Sequence, residues 1–134
     1  QRRANNRSCV IRLGLGNTHI LLPGDIEAHA EAQLLERDRK NLAADLLVVP
    51  HHGSKTSSTL AFIKAIDPEL AWFATGYRNR YRFPNFAVLQ RYLDLHAQPL
   101  NTADKGAISI KIDATGLKTP QTWREQSGRY WHAQ

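Results

Sequence analysis

Asp25 and the adjacent pair His51 and His52 are the residues of this chain best suited to hold a metal ion. Asp25 closes the stretch "ILLPGD", and the two histidines follow "DLLVVP", 26 and 27 positions later. Both stretches read as apolar strands that end in a turn. A carboxylate and an imidazole brought to one edge by neighbouring strands are donors that a divalent ion accepts. Gly53, Ser54, Lys55 and Thr56 come next, a cation set among hydroxyls. Each residue also has a plainer reading. Asp25 can serve as the N-cap of the helix that begins at "IEAHAEAQLL". One imidazole can be satisfied by backbone groups while the other is exposed. Function in an α/β unit sits at the carboxyl ends of the strands, and the shared placement of the three residues there favours the metal reading.

The elements that must position these groups alternate along the chain. "SCVIRLGL" and "HILLP" read as two strands joined by the turn "GNT". "IEAHAEAQLLERD" is rich in helix formers with apolar residues at helical spacing. "DLLVVP" is a strand of the type buried on both faces. "SSTLAFIKAI" reads as a helix capped by a serine and stopped before Pro68, and "ELAWFAT" as another buried strand. "NFAVLQRYLDLH" is a helix with Asn85 as its cap, and "QPLNT", "GAISIKI" and "LKTP" return as strands. The tail "TWREQSGRYWHAQ" shows no period, although Trp123 and Trp131 suggest that it packs down.

Length and composition bound the function. The 134 residues suit one small domain, and 42% hydrophobic with 22% charged residues is ordinary for a globular chain. No apolar run approaches the ~20 residues that span a bilayer, so the chain is expected to be soluble. It starts at Gln1 rather than Met, so an excised piece of a longer protein is expected. The lone Cys9 excludes an intrachain disulfide and a cysteine-rich zinc site, and reads as a small buried residue. The net charge of +6 favours a polyanionic partner. Arg78, Arg80 and Arg82 alternate with tyrosines in "YRNRYR", a pattern that can pair with phosphates and stack on bases. A solvated loop with snorkelling arginines has the same composition.

The combination of "LLPGDIEAHAEAQLL" with "DLLVVPHHGSKTSST" resembles the second half of the metallo-β-lactamase fold. More narrowly, it resembles the extracytoplasmic domain of the ComEC family, bacterial competence channels that import DNA. The resemblance runs from about Asn5 to Ile112 and takes in "DPELAWFATGYRNRYRFP" and "VLQRYLDLHAQPLNTADKGAISIKI". It implies an α/β fold, half of an αββα sandwich with a mixed sheet and flanking helices. Residues 1–134 are then one partial domain, with a core from about 5 to 118 and a tail over 119–134.

The resemblance also implies roles. Asp25 matches the aspartate that bridges two metal ions, and His51 or His52 matches a metal-ligating histidine. The other imidazole is then its hydrogen-bonded neighbour or a proton donor. Ser54, Lys55 and Thr56 are expected at the rim, facing phosphate, with Lys55 stabilising charge on the phosphoryl oxygens. Arg78, Arg80 and Arg82 are expected to track a single strand of DNA. Where the family often carries a histidine before the proline, this chain has Phe83. The family's H-x-[HD]-x-D-H run belongs to the first half of the domain, and none of the six histidines here lies in one. A divalent metal, manganese or zinc, is therefore expected in the complete domain and bound weakly or not at all by this chain.

The implied activity is metal-dependent hydrolysis of the non-transported DNA strand, outside the inner membrane and beside the rest of the ComEC-type channel. Two rivals are a non-catalytic DNA-binding or docking module and another hydrolase of the fold acting on a small phosphoester or lactone. Half a sandwich would leave apolar surface bare on "DLLVVP" and "ELAWFAT", so the isolated chain is expected to self-associate or rearrange its edges.

Overall fold

A computed structural model describes residues 4–128. Gly16 and Asn17 form the turn between β1 (Ile11–Leu15) and β2 (Thr18–Leu22), which pair antiparallel with Leu13 opposite Ile20. From β2 onward every pairing is parallel, through β3 (Leu46–Val48), β4 (Leu70–Phe73) and β5 (Gln98–Asn101). The mixed five-stranded sheet has the order β1-β2-β3-β4-β5. Each parallel step crosses over through one helix: α1 (Ala28–Asp38), α2 (Leu60–Ile66) and α3 (Phe86–Asp94). Right-handed crossovers that always advance in one direction place their helices on one face. This is an α/β unit compatible with one half of an αββα sandwich.

Register separates the two faces. Leu21, Leu47 and Ala71 lie in one row, and with Val49 and Phe73 they pack against Ala30, Phe62, Ile63, Ile66, Val88 and Tyr92 of the helices. Ile20, Leu46 and Leu70 form the row on the other face, where Val48, Trp72 and Leu100 join them. Ile108, Ile110 and Leu117 cover that face from the C-terminal hairpins. Those hairpins pair β6 (Ile108–Ser109) with β9 (Gln121–Thr122) and β7 (Ile112–Asp113) with β8 (Gly116–Leu117). Short helices α4 (Thr102–Lys105) and α5 (Trp123–Gln126) accompany them.

Several expectations are corrected. The bare apolar surface is not on β3 and β4, where Leu46 and Leu70 are 2% and 3% exposed. It lies at the β1 end, where Ile11, Leu13 and Leu15 are about half exposed, because the C-terminal hairpins reach only the middle of the sheet. "GAISIKI" splits in two because β6 and β7 pair with different strands. "LKTP" contributes only Leu117 to a strand. Thr59, not a serine, caps α2 by accepting the amide of Phe62. Asn85 caps α3 as expected. Cys9 is exposed, and so is Trp123, while Trp131 lies outside the described residues.

The loop from the histidines to α2 is held by a buried carboxylate. Glu31 of α1 is fully buried and accepts the amides of Ser58 (2.5 Å) and Thr59 (2.8 Å). Ser58 is also buried, with a left-handed backbone, and its hydroxyl meets Tyr92 at 3.0 Å. Burial pushes Glu31 above the usual carboxylate range, while the Thr59 and Ser58 bonds and the Arg91 guanidinium pull it back. The folded pKa is the higher one, so the contribution from this group's titration is fully present below the ordinary glutamate value. It is lost as pH rises through the raised value. Truncation is a separate matter, since it strands one buried and one half-buried amide, and a buried one costs ~1–3 kcal/mol when unpaired. Glu31→Ala is expected to destabilise the chain by about 3 kcal/mol in urea denaturation. A midpoint equal to wild type would show that this carboxylate does not hold the loop.

Candidate metal and nucleic-acid site

Two turns at the carboxyl edge of the sheet meet. After β2, Pro23 and Gly24 turn the chain and deliver Asp25. Gly24 has φ +64°, and a Cβ there would stand 2.9 Å from the Cβ of Ser8, so the turn needs glycine on both counts. The Ser8 hydroxyl accepts the Asp25 amide at 3.2 Å, and Asn6 accepts the Glu27 amide at 2.8 Å. Asp25 therefore belongs to a braced turn. The N-cap position of α1 falls to Glu27, which makes no side-chain cap bond.

After β3, Pro50–Gly53 form a tight turn in which His51 and His52 both have left-handed backbones, at φ 50° and 55°. For a residue with a Cβ this conformation costs roughly 1–2 kcal/mol. The strain is held in place from several sides. The His51 amide donates to Gly24 (3.0 Å), which ties the two turns together. The buried Ser57 hydroxyl binds the Pro50 carbonyl (2.9 Å), and the Asn85 amide donates to Gly53 (2.9 Å). A Cβ on Gly53 would meet Pro84 at 2.8 Å, so the loop before α3 seats directly on this turn.

The two imidazoles take different partners. His52 Nδ1 lies 2.7 Å from the Ala74 carbonyl, which can only accept, so Nδ1 carries the hydrogen. The lone pair of a neutral ring is then on Nε2, 3.6 Å from Asp25 Oδ1. A backbone carbonyl on one imidazole nitrogen and an open lone pair on the other is the usual dress of a metal-ligating histidine. His51 instead turns Nδ1 to Glu27 Oε1 at 3.5 Å, in a partly buried pocket shared with Thr56. The donors fit two ligands of a divalent ion, Asp25 and His52. Among the described residues no three of His, Cys, Asp and Glu gather closely enough to hold one.

The expected phosphate contacts divide. Lys55 is exposed. Ser54 is buried and bonds Thr56, and the Thr56 hydroxyl donates to Glu27 at 3.0 Å, so both hydroxyls serve the loop itself. Arg78, Arg80 and Arg82 are exposed on the loop that follows β4. Asn79 organises that loop, accepting the Phe83 amide (2.8 Å) and donating to its carbonyl (2.8 Å). Between this loop and the two turns lies a cleft of about 610 Å³ lined by Asp25, His51, His52, Thr75, Asn79, Tyr81 and Phe83. Sequence reasoning did not single out Glu27, Glu31 or Asn79. A signal exists for Glu31: it shares the apolar stripe of α1 with Ala30 and Leu34, where a carboxylate is out of place.

No family model matches the chain. It is 37% identical over 130 residues to Uncharacterized protein YcaI of Escherichia coli strain K12, covering 97% of this chain and 17% of that protein. Against Competence protein ComA of Neisseria gonorrhoeae the identity is 36% over 114 residues, 85% of this chain and 16% of that protein. Against Recombination protein 2 of Haemophilus influenzae it is 33% over 120 residues, 90% of this chain and 15% of that protein. The chain thus spans about a sixth of the length of these relatives.

The tautomer of His52 is directly measurable. In ¹⁵N-detected spectra of the neutral ring, His52 is expected to carry its proton on Nδ1. A proton on Nε2 would turn the lone pair away from Asp25 and remove the ligand pair.

Proposed function

The chain is homologous to one segment of competence and recombination proteins, and from that premise we propose that it is half of a metallo-β-lactamase-like domain in a DNA-uptake protein of the ComEC type. The domain is proposed to lie outside the inner membrane, beside the channel, and to hydrolyse the DNA strand that is not transported. The observation that carries this reading is the convergence of Asp25 and His52 at 3.6 Å, at the strand edge where function is expected.

In this reading Asp25 and His52 hold a divalent ion, manganese or zinc, together with ligands from the companion half of the domain. When bound, such an ion supplies Lewis acidity and an acidified water. The remaining work belongs to this chain's own residues. The Ala74 carbonyl keeps the His52 lone pair aimed at the cleft, and the Ser8 hydroxyl holds the Asp25 turn. Lys55 and the loop arginines offer positive charge to a phosphodiester without reading its sequence. The bare apolar face of β1 supports a companion layer packed there.

The test uses the longer protein and the isolated chain side by side. The isolated chain is expected to bind manganese weakly by calorimetry and to leave single-stranded DNA uncut. The longer protein is expected to cut it in the presence of metal. There Asp25→Ala should reduce turnover by more than the roughly 10–100-fold that loss of an outer-shell partner costs. Unchanged turnover in that variant would defeat the nuclease reading.

A second reading, a non-catalytic DNA-binding or docking module, draws on the shortage of metal donors among the described residues. It predicts binding without cutting in the longer protein too. Both readings expect the loop arginines to touch DNA. Converting Arg78, Arg80 and Arg82 to alanine is expected to weaken single-strand affinity and to flatten its dependence on salt. The log–log slope should fall by ~0.7 for each phosphate that an arginine no longer neutralises. An unaltered slope would take the loop out of the interface.

A further inference from the structure

Beside the ligand pair, three rings form a pile. His52 stacks on Phe83 with centroids 6.4 Å apart and planes 20° from parallel, and Phe83 stacks on Tyr81 at 5.5 Å and 20°. Such spacings are those of offset aromatic contact. All three rings line the cleft, so the pile runs along its wall from the ligand pair to solvent. Phe83 is half-buried, whereas Tyr81 is 61% exposed. A lone exposed tyrosine needs no explanation. An exposed ring that ends a stack inside a cleft presents a flat apolar surface, and among the described residues its recorded partner beyond the stack is a guanidinium that also bonds the Tyr81 hydroxyl. That guanidinium, of Arg80, rests 4.7 Å from the Tyr81 centroid.

Flat apolar surface, an adjacent exposed cation and a carboxylate–imidazole pair along the same wall match one ligand chemistry. A nucleotide offers a planar base on one side and a phosphate on the other. The cleft volume, about 610 Å³, falls within the ~300–1,000 Å³ of small-ligand sites. We infer that Tyr81 is a stacking platform for one base of a single-stranded nucleic acid, fixing the position of the adjoining phosphate against Asp25 and His52. On binding, the exposed Arg80 leaves the ring face for a phosphate and the base takes its place. Asn79 holds the ring in position by clamping the backbone of Phe83 from both sides. Every base has a π-face, so the platform selects single strands over duplex without selecting sequence. The inference rests on the single-strand reading above and adds a base contact to what that reading describes only as phosphate contact.

The test measures binding, with no metal and no turnover, by fluorescence anisotropy of this chain with two labelled oligonucleotides of equal length. One carries ordinary bases and the other is abasic. Wild type is expected to bind the ordinary strand more tightly, by between about fivefold and about a hundredfold for one stacked base. Tyr81→Ala should bind the two alike and keep the wild-type salt slope, and Tyr81→Phe should restore the preference. Equal binding of both strands by wild type overturns the platform while leaving the phosphate reading intact. A Tyr81→Ala variant that loses affinity and salt slope together overturns it too, because the ring would then only position arginines. Binding of neither strand overturns the single-strand reading and the platform with it.

Discussion

A carboxylate sealed from water must find its hydrogen bonds inside the protein, and Glu31 finds them in the two amides that open α2. That contact joins the first crossover helix to the second across the face of the sheet. It fixes where α2 starts, and therefore where the preceding loop must end. The loop, residues 49–59, must leave β3, present His51 and His52, and arrive at Glu31. Each hydroxyl along it is consumed in meeting those two end points. Ser57 ties back to Pro50, Ser54 to Thr56, Thr56 to Glu27 and Ser58 to Tyr92. A polar composition that suggests a solvated rim is here the internal wiring of a folded loop.

The cleft is assembled from three such braced segments. The Asp25 turn leans on Ser8 and Asn6, the histidine turn leans on Gly24 and Ser57, and the arginine loop leans on Gly53 through Pro84 and Asn85. None of the three is supported only by its own residues. The sheet supplies the edge, and the braces supply the angle at which each side chain leaves it. This division explains why a strand order as plain as β1 to β5 in sequence carries a site with two consecutive left-handed residues.

Much of this was legible in the residues. Alternating apolar runs and helix formers located every element of the main sheet, because each strand and its crossover helix are neighbours in sequence. The approach of Asp25 to the pair His51 and His52 was legible because both follow apolar strands. What stayed hidden depends on partners distant along the chain. The division of labour between the two histidines is set by Ala74 and Glu27, and neither "HH" nor its flanks reveals which ring meets which. The burial of Ser54 and the exposure of Cys9 and Trp123 follow from what packs nearby, not from residue type. The break of "GAISIKI" into two strands needs knowledge of two pairing partners, one of which lies in a tail without periodicity.

The left-handed backbone at His51 and His52 also bears on how such a chain responds to selection for robustness. Glycine adopts that conformation without a steric penalty, so at these two positions the residue that would relax the backbone differs from the residue present. A library screened only for thermal resistance should therefore drift toward glycine there. The drift would empty one wall of the cleft while the scaffold gained. Ser58, Asp67, Arg78, Arg82 and His96 share that backbone region, so the same drift is expected there, but only at His51 and His52 would it strip two imidazoles from the cleft wall.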